Sequence, residues 1–386
     1  MSDVVIAGIG QMPVGEHYTS SLRGLALDAI DMALKDSGGL RPDTLYVANM
    51  LAPVVSHQAH LGALISDYAG LTGIEAAVVE AGGASGGAAL RMGYMAVAAG
   101  AAEVALVVGV EKITDKLGTG AEAAQMLNVD SDYEAVQGLT PNAQAALLMA
   151  RYLHEYHLPR QAFGGFPRVA HANAVSNPFA MFRSPLSADA YEQASQGGQP
   201  LNMFDIAPVA DGAAALVITR RELLPAETGH PLVRISGSSH VTGRLALHDR
   251  LDVLDLEPAR ISVERACRKA DIRPGDVDLF ELYDSSSIMA VLSLEAAGFA
   301  PRGQGWRLAQ DEQLGLNGLL PIATFGGLKA RGNPGGATGV YQAVEAALQL
   351  RGEAGANQVL HARRALIQCL GGSAANAVTH VLERLA

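Results

Sequence analysis

The sequence predicts an α/β protein built from two duplicated halves. Strand and helix patterns alternate along most of the chain, and the same order returns after about residue 230. In addition, residues 31–50 (DMALKDSGGLRPDTLYVANM) have a counterpart in residues 264–284 (ERACRKADIRPGDVDLFELYD): each is a helix, a turn containing Arg-Pro, and a strand. A chain of 386 residues with 49% hydrophobic and 17% charged side chains has ample material for buried sheets. Its 43 glycines and Ala-rich background suit closely packed helices.

The first half opens with a strand at residues 3–9 (DVVIAGI) and an amphipathic helix at 22–38 that ends at Gly38-Gly39. A strand follows at 45–50, a helix at 60–73 and a strand at 76–80. Residues 82–101 are a glycine turn running into a small-residue helix. The segment AEVALVVGVEK (102–112) is almost continuously apolar, the pattern of a strand covered on both faces. The second half repeats this with strand 232–241, helix 259–270, strand 276–284, helix 288–298, the glycine-rich segment 332–350 and strand 362–372. The expected division is residues 1–230 and 231–386, with an insertion at about 115–205 in the first half. That insertion holds PNAQAALLMARYLHEYHLP and HANAVSNPFAMFRSPLS, and long insertions on a rigid scaffold tend to carry binding contacts. It closes at the Asp211-Gly212 turn, which leads an apolar strand back into the first half.

Bulk properties exclude several classes. A net charge of -11, with no run of Lys and Arg, gives nothing to attract a nucleic-acid backbone. No apolar run reaches the roughly 18 residues of a membrane span, and the N-terminus lacks the signal-peptide series, so a cytoplasmic location is expected. Cys267 and Cys369 form neither a CxxC pair nor a disulfide framework. His57 with His60, and His154 with His157, have no carboxylate to complete a ligand set and read as surface histidines, so no metal is expected.

In order and spacing, VEAGGASGGAAL, VVGVEKIT, AHANAVSNPFA, FDIAPVADGAAALVI, GGLKARGNPGGATG and CLGGSAANAVTHVLE resemble the thiolases of the sterol-carrier-protein and archaeal acetyl-CoA acetyltransferase type. The resemblance covers essentially the whole chain. It implies the thiolase fold, a five-layered αβαβα sandwich with an inserted loop domain, and chemistry at a carbon–carbon bond of a coenzyme A thioester. Coenzyme A thioester is then a substrate, and no permanently bound cofactor is expected. It also implies four catalytic loops.

Where that family keeps its nucleophilic cysteine at a helix N-terminus, this chain has Gly83, in Gly83-Ala84-Ser85-Gly86. Ser85 is the nearest hydroxyl, and in the family pattern it shapes the turn. Where relatives have His-Asp, this chain has Tyr283-Asp284; where they have Gly-His-Pro, it has Gly332-Asn333-Pro334. Cys369 keeps the place of the proton-transfer cysteine, with Gly371 and Gly83 offering backbone N–H groups to an oxyanion. The reactive side chains changed while the glycine scaffold stayed.

Thiolase-like aldolases of steroid side-chain breakdown also lack the nucleophile and carry tyrosines in these loops. The leading expectation is therefore a cysteine-independent lyase or ligase, with Tyr283 as base or proton carrier and Asn333 on the enolate oxygen. Two alternatives stand beside it: acyl transfer with Cys369 as nucleophile, and a non-catalytic acyl-CoA-binding or scaffold subunit. Arg183, Lys329 and Arg331 are candidates for the coenzyme A phosphates. The resemblance further implies a homodimer and a small partner built from an oligonucleotide-binding-like (OB-fold) barrel and a zinc ribbon.

Overall fold

The computed structural model describes residues 3–116, 119–194, 199–225, 228–310 and 313–385. Parts of the insertion (117–118 and 195–198) and residues 311–312, in the stretch after Trp306, lie outside the described residues.

The first half contributes strand β1 (Val4–Gln11), helix α1 (Leu22–Asp36), β2 (Thr44–Ala48), helix α2 (Leu61–Tyr68), β3 (Glu75–Val79), helix α3 (Ser85–Ala98) and β4 (Val104–Glu111). The insertion carries helices α4 (Pro141–Glu155) and α5 (Gly165–Ala174), and β5 (Gly212–Arg220) returns to the sheet. The second half supplies β6 (Val233–Thr242), helix α6 (Glu257–Ala270), β7 (Leu279–Glu281), helix α7 (Ser287–Ala296), helix α8 (Thr338–Arg351), β8 (Arg364–Gly371) and β9 (Asn376–Arg384).

The strands run in the order β3-β2-β4-β5-β1-β6-β9-β8-β7, with both parallel and antiparallel neighbours. The seam between the halves is short: β1 meets β6 only at Val5–Arg234 and Ile6–Val233. Helix α1 packs on β1, β5 and β4, and helix α6 packs on β6 and β9. Helices α3 and α8 touch each other and strands of both halves. They are the central layer, which gives the five layers α, β, α, β, α. The duplication is explicit, because α1, β2, α3 and β4 correspond in sheet position to α6, β7, α8 and β8.

The central layer exists because its helices lack side chains where they cross. A Cβ on Gly86 would lie 2.6 Å from the Val340 backbone nitrogen, and one on Gly339 would lie 2.4 Å from that of Gly87. Around this crossing Ala88, Ala89, Val340, Val344, Ile367 and Val378 form a continuous apolar core.

Two sequence expectations need correction. Residues 276–284 form a strand only at Leu279–Glu281, because the chain turns at Leu282, whose N–H donates to the Phe280 carbonyl at 3.1 Å. Residues 376–384, not singled out as an element, are a full strand paired to β6 and β8. Among the described residues, no helix is long and apolar enough to cross a membrane.

Candidate functional site

The site begins at the turn between β3 and α3. Ser85 accepts from the Ala81 N–H at 2.9 Å and donates to the Gly82 carbonyl at 2.6 Å. Its hydroxyl is therefore spent on the turn, and the side chain is fully buried. Gly83 sits at the apex. A Cβ placed there would lie 2.0 Å from the Tyr283 phenol oxygen and 2.6 Å from the Leu370 carbonyl. The phenol thus occupies the volume in which a side chain at position 83 would begin.

Tyr283 follows β7 and is 6% exposed. Burial holds its phenol above the ordinary tyrosine range, with nearby Cys369 and Asp284 adding to the effect. The group is a hydrogen-bond donor at neutral pH. The Asn333 side chain acts in the opposite sense to burial, its amide beside the phenol lowering the pKa. Thr338 donates to Asn333 Oδ1 at 3.0 Å, so the amide turns its N–H side toward the phenol oxygen and leaves the phenol O–H for another acceptor. The Asn333 backbone is held on both sides, donating to the Pro208 carbonyl at 3.0 Å and accepting from Ala210 at 3.3 Å.

Asp284, next to Tyr283, is spent on the backbone. Its Oδ1 accepts from the Leu328 N–H at 2.8 Å, and burial raises its pKa. It anchors the segment that leads to Asn333. Cys369 lies on β8, fully buried between Gly87 and Gly339, where added Cβ atoms would come within 2.8 Å of its sulfur. Its thiol donates to Gln342 Oε1 at 3.2 Å, and burial pushes its pKa up to about 12. Gly371 packs on the Ala81 carbonyl, 2.1 Å from where its Cβ would be, and the cavity wall is made by Gly372 instead.

The expected phosphate cations are placed otherwise. Arg331 is fully buried, paired to Glu345 at 2.8 Å and stacked over the Tyr341 ring at 5.1 Å. Lys329 is buried, donates to the Asp205 carbonyl at 2.7 Å, and is pushed down to about 8 by burial. Neither reaches solvent, where the phosphates of a bound coenzyme A would lie. Arg183 is exposed.

A cavity of about 420 Å³ opens in front of Tyr283 and Asn333. Ala207, Val209, Met50 and Gly335 border it beside these two residues, and Ser285, Ser286 and Met289 come from the start of α7. The insertion supplies Glu122, Gln125 and Asn128, together with Thr140, Pro141 and Asn142 at the start of α4. These insertion residues were not identified from sequence beyond the expectation that an insertion carries contacts. No Lys or Arg lines the cavity among the described residues. Positive potential comes instead from helix N-termini: α4 and α7 open on it directly, and α8 through the turn at Gly335.

Glu111, at the end of β4, lies buried behind Gly335. Its Oε1 accepts from the Met50 N–H at 2.5 Å, from Leu51 at 3.2 Å and from Gly336 at 3.3 Å, tying two wall segments together. Burial pushes its pKa up to about 8.

The layering, the glycine turn at the head of α3 and the converging loops define a thiolase-type scaffold. The chain belongs to the thiolase family: residues 4–193 match the thiolase N-terminal domain and residues 239–384 the thiolase C-terminal domain-like family. It is 38% identical to an acetyl-CoA acetyltransferase of Methanothermobacter thermautotrophicus over 357 residues, covering 92% of each chain. It is 27% identical to a steroid side-chain-cleaving aldolase of Thermomonospora curvata, covering 88% of each. Among solved structures it is similar to an Ltp2-ChsH2(DUF35) aldolase, with a TM-score of 0.84, 23% identity and coverage of 99% of this chain and 98% of that one. Relatives in this family are enzymes that include acyltransferases and an aldolase, and the same coarse reading holds for this chain.

Proposed function

We propose that this protein makes or breaks a carbon–carbon bond of an acyl-CoA thioester by aldol-type chemistry, without an acyl-enzyme. The observation that carries this reading is the Tyr283 phenol in the space where a nucleophile at position 83 would stand.

In the cleavage direction a base removes the proton of a β-hydroxyl, and the Cα–Cβ bond breaks. The oxygen becomes the carbonyl of the leaving aldehyde or ketone, and the bonding pair passes into a thioester enolate. Tyr283 O–H donates to the enolate oxygen, and the Asn333 amide keeps the phenol aimed. The helix N-termini at the cavity favour that negative charge. A proton returned to Cα completes the shortened acyl-CoA. Because its phenol stays protonated, Tyr283 is assigned as donor here, not as base. Glu122 supplies the base, as the one carboxylate on the cavity wall among the described residues, acting directly or through water.

The acetyl-CoA acetyltransferase relative supports acyl transfer as a second reading. Against it stand the burial of Cys369, its pKa of about 12 and its absence from the cavity wall. For assembly, we propose a homodimer through β3, an edge strand with Glu75–Val78 exposed. We also propose a small partner protein of the OB-fold and zinc-ribbon type, by analogy with the two-component aldolase named above.

The test is incubation of pure protein, alone and with a candidate partner, with β-hydroxyacyl-CoA compounds, following products by mass. An aldehyde or ketone plus a shortened acyl-CoA is expected. Tyr283→Phe should lower kcat/KM by about a hundredfold or more. Full turnover in that variant, or an acyl adduct on Cys369, would sink the reading. Absence of turnover from every compound would leave a binding or scaffold role.

A further inference from the structure

We infer that the acyl group received by this cavity is short and carries neutral polar groups, hydroxyl or amide, in place of a long hydrocarbon or a fused ring system. The inference rests on reading the cavity as the acyl-CoA site, and it adds the substrate class.

The argument starts from what the insertion contributes. Gln125, Asn128, Asn142, Ser285 and Ser373 lie along the wall of one cavity, with Asn128 Nδ2 already donating to the Gln125 carbonyl at 3.2 Å. The amides of Gln125 and Asn142 make no hydrogen bond within the chain among the described residues. Ser373 donates to Gln144 Oε1 at 2.6 Å, which leaves its oxygen able to accept from a ligand. A hydrocarbon pressed against these groups would strip their water and return no hydrogen bond. A hydroxyl or amide in the same place restores it. The discrimination available from two such groups is on the order of tenfold or more.

Two further observations narrow the class. Glu122 is the sole charged side chain on the wall among the described residues, and it repels a carboxylate tail. The volume of about 420 Å³ is toward the small end of ligand cavities, which span roughly 300–1,000 Å³. The end of the pantetheine arm must share that space. A polycyclic acyl group, of the kind implied by the name of the Thermomonospora curvata relative, fits neither the size nor the lining.

The test uses two thioesters with equal numbers of heavy atoms and no β-hydroxyl, so that neither can undergo retro-aldol cleavage: 6-hydroxyhexanoyl-CoA and heptanoyl-CoA. Each is titrated calorimetrically into the full-length protein. The hydroxylated ligand is expected to bind at least fivefold more tightly. Gln125→Leu and Asn142→Leu, both away from the central layer, should together abolish or reverse that ratio. Equal or tighter binding of heptanoyl-CoA to the unaltered protein overturns the inference, as does a ratio that both substitutions leave unchanged, or no heat from either ligand. Turnover of β-hydroxyacyl-CoA compounds is measured separately. A clear hydroxyl preference without any turnover would overturn the proposed reaction and uphold the substrate class, while turnover without the preference would do the reverse.

Discussion

At the scale of single residues, the site turns on one exchange of volume. Gly83 and Tyr283 are far apart in sequence, yet the phenol fills the space that a Cβ at Gly83 would need. Gly83→Cys alone should therefore lose about 1–3 kcal/mol of stability in urea unfolding, the usual cost of overpacking, and should not become acylated. Adding Tyr283→Ala should recover most of that loss. Thr338→Val, which frees the Asn333 amide to rotate, should cost about tenfold in kcat with little change in KM, measured on whichever β-hydroxyacyl-CoA is turned over. The sequence identified Gly83, Tyr283 and Asn333 as one changed set, because each falls at a fixed place in an ordered motif. It could not show that Gly83 and Tyr283 meet, since no local pattern encodes a contact between loops of different halves. Arg331 and Lys329 were misplaced for a related reason: a charged side chain is expected at the surface, and Glu345, which pairs Arg331 inside the protein, has no motif that announces it.

At the scale of elements, the glycines of α3 and α8 decide where the site's loops can sit. Gly87→Ala would press a methyl to within 2.8 Å of the Cys369 sulfur, in a crossing already at contact distance. A loss of about 1–3 kcal/mol is expected, together with weaker ligand binding, because the same helix carries the Gly83 turn at its head. Denaturant unfolding and calorimetry on one preparation would check both. Most elements were legible from hydrophobic period and glycine punctuation, and the duplication was legible from the repeated helix, Arg-Pro turn and strand. The strand at 376–384 was missed because it sits inside a motif read for its chemistry. The strand expected at 276–284 was too long because the chain turns at Leu282, which stays in the core, and carries Tyr283 out of the ladder to the cavity.

At the scale of the whole molecule, buried ionisable groups set the response to pH. Glu111 is pushed up to about 8 by burial, so the stability from its protonated form is complete below the ordinary value near 4.5 and is lost as pH rises through 8. His380 bonds the Gly87 carbonyl at 2.9 Å and is pushed down to about 4 by burial, so its contribution is present above 6.5 and lost as pH falls through 4. The two oppose each other between pH 4.5 and 6.5. Between pH 6.5 and 8, Glu111 should lower the unfolding free energy by up to about 1.4 kcal/mol per pH unit. Glu111→Gln keeps an acceptor for the three backbone N–H groups and should remove the Glu111 share of the slope, leaving that of Glu345, which burial likewise pushes up to about 8. Urea unfolding across this interval, with and without the substitution, is the check.

The two cysteines also equip the protein with its own reporters of motion. Cys369 is locked in the central layer, whereas Cys267 lies on α6 in an outer one, 2% exposed and pushed up to about 11 by burial. Neither can meet a thiol reagent until its layer opens, so labelling rates followed separately on the two sulfurs time two different openings of the native fold. Ligand that seats against Tyr283 and Asn333 braces the loops over the central layer. It should slow modification of Cys369 while leaving Cys267 almost unchanged, which makes the rate at the buried sulfur a gauge of occupancy.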